Sequence, residues 1–275
     1  ILLGLFFIGV GMSLDVAVVL ANSSLIIAGV AAMMVTPVLQ GFIFVFRKIL
    51  PGDIDLQQSY PFPTLFFKMF FAAGLMEELF KAVPILLGAW LTVQALKQPQ
   101  LRENIAFKLL HVRGPVDGAL MGIFAGGGFI FLETAFEYVP RVATMALQQT
   151  QNPLAAIAAG LLLMLPRVFG GIVGHMAYSG LFGYFIGLSI IRPKERWKLI
   201  GIGYLASTLA HTLWNSVDSI SPNLHYIVAV ACAILVVGAV LKARQLEASV
   251  AGAAAPDTSG SIVVDRAAHA TPAAQ

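Results

Sequence analysis

Residues 64–95 read TLFFKMFFAAGLMEELFKAVPILLGAWLTVQA, a long apolar run interrupted near its middle by Glu77, Glu78 and Lys81. A helix needs about 20 apolar residues to cross roughly 30 Å of hydrocarbon, so the run is long enough to span a bilayer. Charges at that depth are costly unless they turn toward a protein interior or a wet cavity and pair there. The stretch therefore predicts a membrane fold with a polar site inside it.

The rest of the chain agrees. Of its 275 residues 58% are hydrophobic and 11% charged, whereas a soluble domain carries about 25% charged residues. Mean hydropathy is +0.85. That leaves too little polar surface for a soluble enzyme, a disulfide-stapled secreted domain or a nucleic-acid-binding domain. The net charge of +3 comes from Lys and Arg in short loops, where they act as topology signals. Apolar stretches bounded by charges or turn formers predict helices at about 1–21, 24–46, 64–95, 116–139, 160–191, 197–217 and 224–243. The expected fold is an all-α polytopic transmembrane helical bundle of about seven spans.

The bundle is expected over residues 1–246, with its functional core at about 64–217. Pro166 predicts an interfacial or broken segment ahead of the fifth crossing. From residue 247 to 275 the chain turns to Ala, Gly, Ser, Thr and Pro, a composition that predicts a disordered tail. An apolar run that begins at Ile1, without an initiator Met, is consistent with natural N-terminal residues ahead of it. The single cysteine, Cys232, has no partner for an internal disulfide.

Loop charges give an orientation. Lys97, Arg102, Lys108 and Arg113 fall in one connection, and Arg192, Lys194, Arg196 and Lys198 in another; both are expected to be cytoplasmic. Lys242 and Arg244 after the last span agree and place the C-terminus in the cytoplasm of a multi-pass cell-membrane protein. Arg47 and Lys48 dissent, because seven spans put them on the outer side.

Several further ionisable residues interrupt apolar runs: Glu133 and Glu137, then Arg167 and His175, then His211 with Asn215. Residues four apart share a helix face, which stacks Glu77 with Lys81, Phe129 with Glu133, His175 with Ser179, and His211 with Asn215. At about 1.5 Å per residue, Glu133, His211, His175 and Glu77 fall roughly 9 to 20 Å below the outer surface. Four helices thus bring carboxylates and imidazoles into one layer of the outer half of the membrane. A carboxylate beside an imidazole can deprotonate water, and a second His with an Asn amide can hold the oxyanion formed on a peptide carbonyl. This constellation fits peptide-bond hydrolysis. Lys81 is placed to pair one of Glu77 and Glu78 and leave the other available. The same groups can also ligate zinc, through His175, His211 and Glu133, although no HExxH is present. No GxSxG occurs, and neither Ser179 nor Cys232 reads as a nucleophile. Gly122 with Gly126, Gly170 with Gly174 and Gly183 with Gly187 have the spacing that lets helix backbones approach closely.

These residues resemble the motifs of the PrsW family of intramembrane proteases, a relative of the type II CAAX prenyl endopeptidases and bacteriocin-processing enzymes. Glu77-Glu78-Leu79-Phe80-Lys81 is similar to its EExxK motif, and Asp117-Gly118 followed by Phe129-Ile130-Phe131-Leu132-Glu133 to its acidic motif. Gly174-His175-Met176-Ala177-Tyr178-Ser179-Gly180, with Gly183 and Gly187 after it, is similar to its His-plus-glycine motif, and His211-Thr212-Leu213-Trp214-Asn215 to its final HxxxN. The resemblance implies an endopeptidase in which Glu77 and Glu78 are the catalytic acids, Glu133, His175 and His211 complete the site, and Lys81 and Asn215 support it. It also implies a single-span membrane protein as substrate, such as a membrane-anchored anti-sigma factor cut near the extracytoplasmic side. In the prenyl endopeptidase branch the second motif is FxxxH. Here Phe129 is followed by Glu133, so the imidazole must come from elsewhere, and His175 is expected to supply it. The alternative is an ion- or proton-coupled transporter that uses the buried Glu, Lys and His cluster as a relay; broken helices at Pro84 and Pro166 would suit it, but no inverted repeat is evident.

Overall fold

The structure is a computed structural model that describes residues 26–55 and 58–254; they are helical, with no strand among the described residues. The helix expected at 1–21 lies outside them. Helices α1 (Ile26–Met34) and α2 (Pro37–Ile49) are bent by 69° relative to one another, so the straight helix expected at 24–46 is a broken pair. The break has a local cause. Pro37 lacks an N–H and forces extended backbone on Thr36, at φ −106° and ψ 167°.

Helix α3 (Phe62–Lys97) carries the opening stretch and passes Pro84 without a break. The short α4 (Ile105–Leu110) follows, then α5 (Pro115–Thr150) and α6 (Pro153–Ile191). Helices α7 (Arg196–Ser216) and α8 (Leu224–Ala254) complete the chain. Among the described residues α3, α5 and the Leu224–Glu247 part of α8 are long and apolar enough to cross a membrane, with a fourth span if the bent α1–α2 pair counts as one. Among the described residues, length and composition do not confirm the expected count of about seven. Helix α7 shows why: its buried face holds Ser207, Thr208, His211 and Thr212, which dilute the apolar character of a span.

Two boundaries differ from expectation. Helix α6 runs unbroken through Pro166 for 39 residues, a length of about 58 Å that overshoots the hydrocarbon layer. Helix α8 continues to Ala254, past the expected start of the tail at residue 247. Alanine is the best helix former, so a small-residue composition does not by itself end a helix. Glu247 also fixes this end, accepting the Val116 N–H at 3.0 Å. Residues 255–275 of the expected tail lie outside the described residues.

Helix α6 is the centre of the bundle, packed against α3, α5, α7 and α8. Its contact with α5 is backbone on backbone. A Cβ on Gly118, Gly122 or Gly126 would lie 2.1–2.2 Å from the carbonyl oxygens of Gly183, Ser179 and His175. Small residues at four-residue spacing thus set the depth at which His175 and Ser179 face α3. Phe80, Phe129, Phe182 and Ile186 fill the core beside them. On the outside, Trp90, Phe136 and Leu162 are more than half exposed, an apolar exterior suited to lipid.

Candidate active site

Among the described residues three segments wind as π-helix: Val45–Ile49, Phe70–Leu75 and Thr134–Tyr138. Each contributes to the wall of one cavity of about 590 Å³, through Arg47, through Ala72 and Ala73, and through Glu137 and Tyr138. A π turn inserts a residue into a helix and re-aims the side chains beyond it. The segment at Phe70–Leu75 ends two residues before Glu77, and the one at Thr134–Tyr138 immediately follows Glu133.

The two adjacent glutamates have opposite surroundings. Glu78 is fully buried, and its Oε1 accepts from Lys81 Nζ at 2.6 Å and from His211 Nδ1 at 2.9 Å. Its Oε2 accepts from Ser179 Oγ at 2.9 Å and Ser207 Oγ at 2.7 Å. Two donors on each oxygen fill the carboxylate's capacity. Glu77 is also buried, but its Oε2 has no hydrogen-bond partner, lying 3.7 Å from Lys81 Nζ and 3.7 Å from His211 Nε2.

The imidazoles follow from this. Because His211 Nδ1 donates to Glu78, its Nε2 carries the lone pair and faces Glu77. The Tyr178 ring stacks on it at 4.6 Å. His175 meets His211 edge to face with ring centres 4.9 Å apart, and its Nδ1 receives Lys81 Nζ at 3.1 Å.

Glu77, Glu78, Lys81, His175 and His211 therefore converge from α3, α6 and α7. Asn215 lines the same cavity. Glu133 lines it too, but its carboxylate is held by Arg167 at 3.1 Å, and the Arg167 guanidinium lies over the Tyr138 ring. The ligand set expected for a metal changes accordingly. Glu77, rather than Glu133, joins His175 and His211, and the three offer ligand atoms that all lie within 4.8 Å of one another. Ser179 donates its hydroxyl proton to Glu78 at 2.9 Å and so belongs to the shell that saturates that carboxylate. The sequence reading missed Ser207, Tyr178 and the inward turn of Arg47. Ser207 had a signal, one turn before His211 on the same face of α7.

The donor set suits a zinc-type divalent cation. Three protein ligands with one open position is the usual catalytic arrangement, Glu77 Oε2 is an orphaned buried oxygen, and Glu78 orients His211 from behind. One contact opposes it. With Lys81 an ammonium, His175 Nδ1 is the acceptor and Nε2 carries the proton, so ligation by His175 requires that contact to change.

The helical fold, with segments long and apolar enough to cross a membrane, thus gathers Glu77, Glu133, His175 and His211 on one cavity wall. The chain belongs to the PrsW family of intramembrane metalloproteases, which matches residues 2–241. Neither a curated protein nor a solved structure matches it.

Proposed function

We propose that the protein is an intramembrane endopeptidase that hydrolyses a peptide bond of a single-span membrane protein near the extracytoplasmic side, with water activated at Glu77. The observation that carries this reading is the asymmetry of the glutamate pair: Glu78 is saturated by four donors, whereas Glu77 keeps an unpartnered oxygen next to His211 Nε2. Glu77 takes a proton from water, and the water oxygen bonds to the scissile carbonyl carbon. The C–N bond then breaks, and the amine leaves with a proton returned from Glu77. Glu78 holds His211 in one tautomer, Lys81 neutralises Glu78, and Asn215 offers an amide donor to the substrate. A divalent cation held by Glu77, His175 and His211 would polarise the carbonyl and acidify a bound water.

In this reading α6 and α7 cross the bilayer as well, completing a multi-pass cell-membrane protein with a cytoplasmic C-terminus. A membrane-anchored anti-sigma factor is the substrate class that the family resemblance suggests. The breaks at Pro84 and Pro166 that would suit a transporter are absent, since α3 and α6 continue as helix through both. The two are separated by reconstituting the protein in liposomes with a library of quenched-fluorescent single-span peptides. The peptidase reading expects peptide products, abolished by His211→Ala and suppressed by a chelator where a metal takes part. Undiminished cleavage by His211→Ala, or ion flux without products, would overturn it.

A further inference from the structure

Arg47 and Lys48 are the basic residues that the loop-charge pattern leaves unexplained; Lys48 pairs with Asp53 at the surface, whereas the fold turns Arg47 inward. It sits in the π-helical end of α2 and lines the same cavity as Glu77, His175, His211 and Asn215. Its Nη2 donates to the Ala72 carbonyl at 3.3 Å, in the π segment just ahead of Glu77, which fixes the guanidinium against that wall. Its Nε is buried and has no hydrogen-bond partner.

The pairing of charges around the cavity singles it out. Arg167 pairs with Glu133, Arg141 with Glu137 and Lys81 with Glu78, at 3.1, 3.1 and 2.6 Å. Among the described residues this leaves Arg47 as a cavity cation with no ion pair and Glu77 as the cavity acid with no close one. Both line the same cavity wall, Arg47 through its contact with Ala72 and Glu77 directly. A buried guanidinium N–H without an acceptor is costly. Arg167 Nε is orphaned on the same cavity, but its guanidinium is already engaged by Glu133 and the Tyr138 ring, whereas Arg47 has no ion pair among the described residues. With Nη2 committed to Ala72, the free Nε suits a single acceptor oxygen better than a carboxylate gripped by both prongs of the fork.

We propose that Arg47 is a further catalytic residue, whose Nε–H binds the carbonyl oxygen of the scissile peptide and the oxyanion that forms there. The inference rests on the peptidase reading above. When the water activated at Glu77 bonds to the carbonyl carbon, the π pair of the C=O moves onto oxygen, and the Arg47 donor strengthens as that charge develops. When the C–N bond breaks, the pair returns and the contact relaxes. The guanidinium stays protonated throughout, so no proton leaves it.

The test uses the full chain in liposomes with a quenched-fluorescent single-span peptide that the wild type cleaves. Arg47→Gln should lower kcat about 100-fold, with KM changed by no more than about 3-fold. Arg47→Lys, which can keep the Ala72 contact but not the Nε donor, should lose about 10-fold, and it carries the test if Arg47→Gln fails to fold. A phosphonamidate copy of the peptide, which imitates the tetrahedral state, should lose affinity in proportion to kcat/KM, while an uncleavable copy binds as before. A role confined to structure would not separate those two ligands. Wild-type kcat in both variants, a loss confined to KM, or equal weakening of both ligands would overturn the assignment and leave the peptidase reading intact. Failure of the wild type to cleave any peptide in the library would instead remove the peptidase reading, and this inference with it.

Discussion

Glu77 and Glu78 follow one another on a helix that turns by about 100° per residue, so their side chains enter different surroundings. Glu78 meets Lys81, His211, Ser179 and Ser207, and Glu77 meets the cavity. Glu78→Gln replaces one saturated acceptor oxygen by an amide donor and takes from the buried Lys81 its close counterion, leaving Glu77 at 3.7 Å. We expect it to lower stability by about 3–5 kcal/mol, read as an earlier unfolding transition in detergent. Glu77→Gln breaks no hydrogen bond at Oε2 and should change stability by less than about 1 kcal/mol, while cleavage falls by about 10²–10⁴-fold. The reverse order, with Glu77→Gln the more unstable and Glu78→Gln the more active, would contradict the assigned roles. The EExxK spacing already indicated that Lys81 pairs with one acid. Which acid it chooses was not legible, because the choice is made by Ser179 on α6 and by Ser207 and His211 on α7, more than 100 residues away in sequence.

Among the elements, the α5–α6 contact positions His175 and Ser179, and glycine backbones on α5 make it. Gly122→Ala and Gly126→Ala each drive a Cβ into a carbonyl of α6 at 2.2 Å. We expect a loss of about 1–3 kcal/mol for each, as for overpacked cores, together with a drop in cleavage as His175 shifts. Gly201→Ala meets nothing within 4 Å and serves as the control in the same assays, with cleavage unchanged and stability unchanged or raised by up to about 1 kcal/mol. The close approach was legible from the four-residue glycine spacing. The π segments were not, since an i→i+5 turn leaves no residue pattern of its own. Prolines were legible only as residues that drop one hydrogen bond. At Pro37 the chain bends by 69°, and at Pro166 it continues as helix. Neighbouring packing decides between those outcomes, and a local reading does not contain it.

For the whole molecule, the low charge content announced a membrane fold, and the charges left in apolar runs announced a site. Three features of the assembled molecule lay beyond that reading. Arg167 takes Glu133 out of the ligand set, Glu247 ties α8 to the start of α5, and α2 brings Arg47 into the cavity from outside the expected core of residues 64–217. Each joins residues distant in sequence, and no spacing within one helix encodes it. The cavity so built faces a buried acid with one unpartnered oxygen, which is the basis for assigning hydrolysis. The most direct test is mass spectrometry of peptides recovered from liposomes that contain the purified wild-type protein, run in ¹⁸O-labelled water. The account predicts paired fragments from a cut inside the spanning segment, within roughly 20 Å of its outer end, with one ¹⁸O in the new carboxyl group. Intact peptides throughout, or cuts confined to segments outside the membrane, would contradict it.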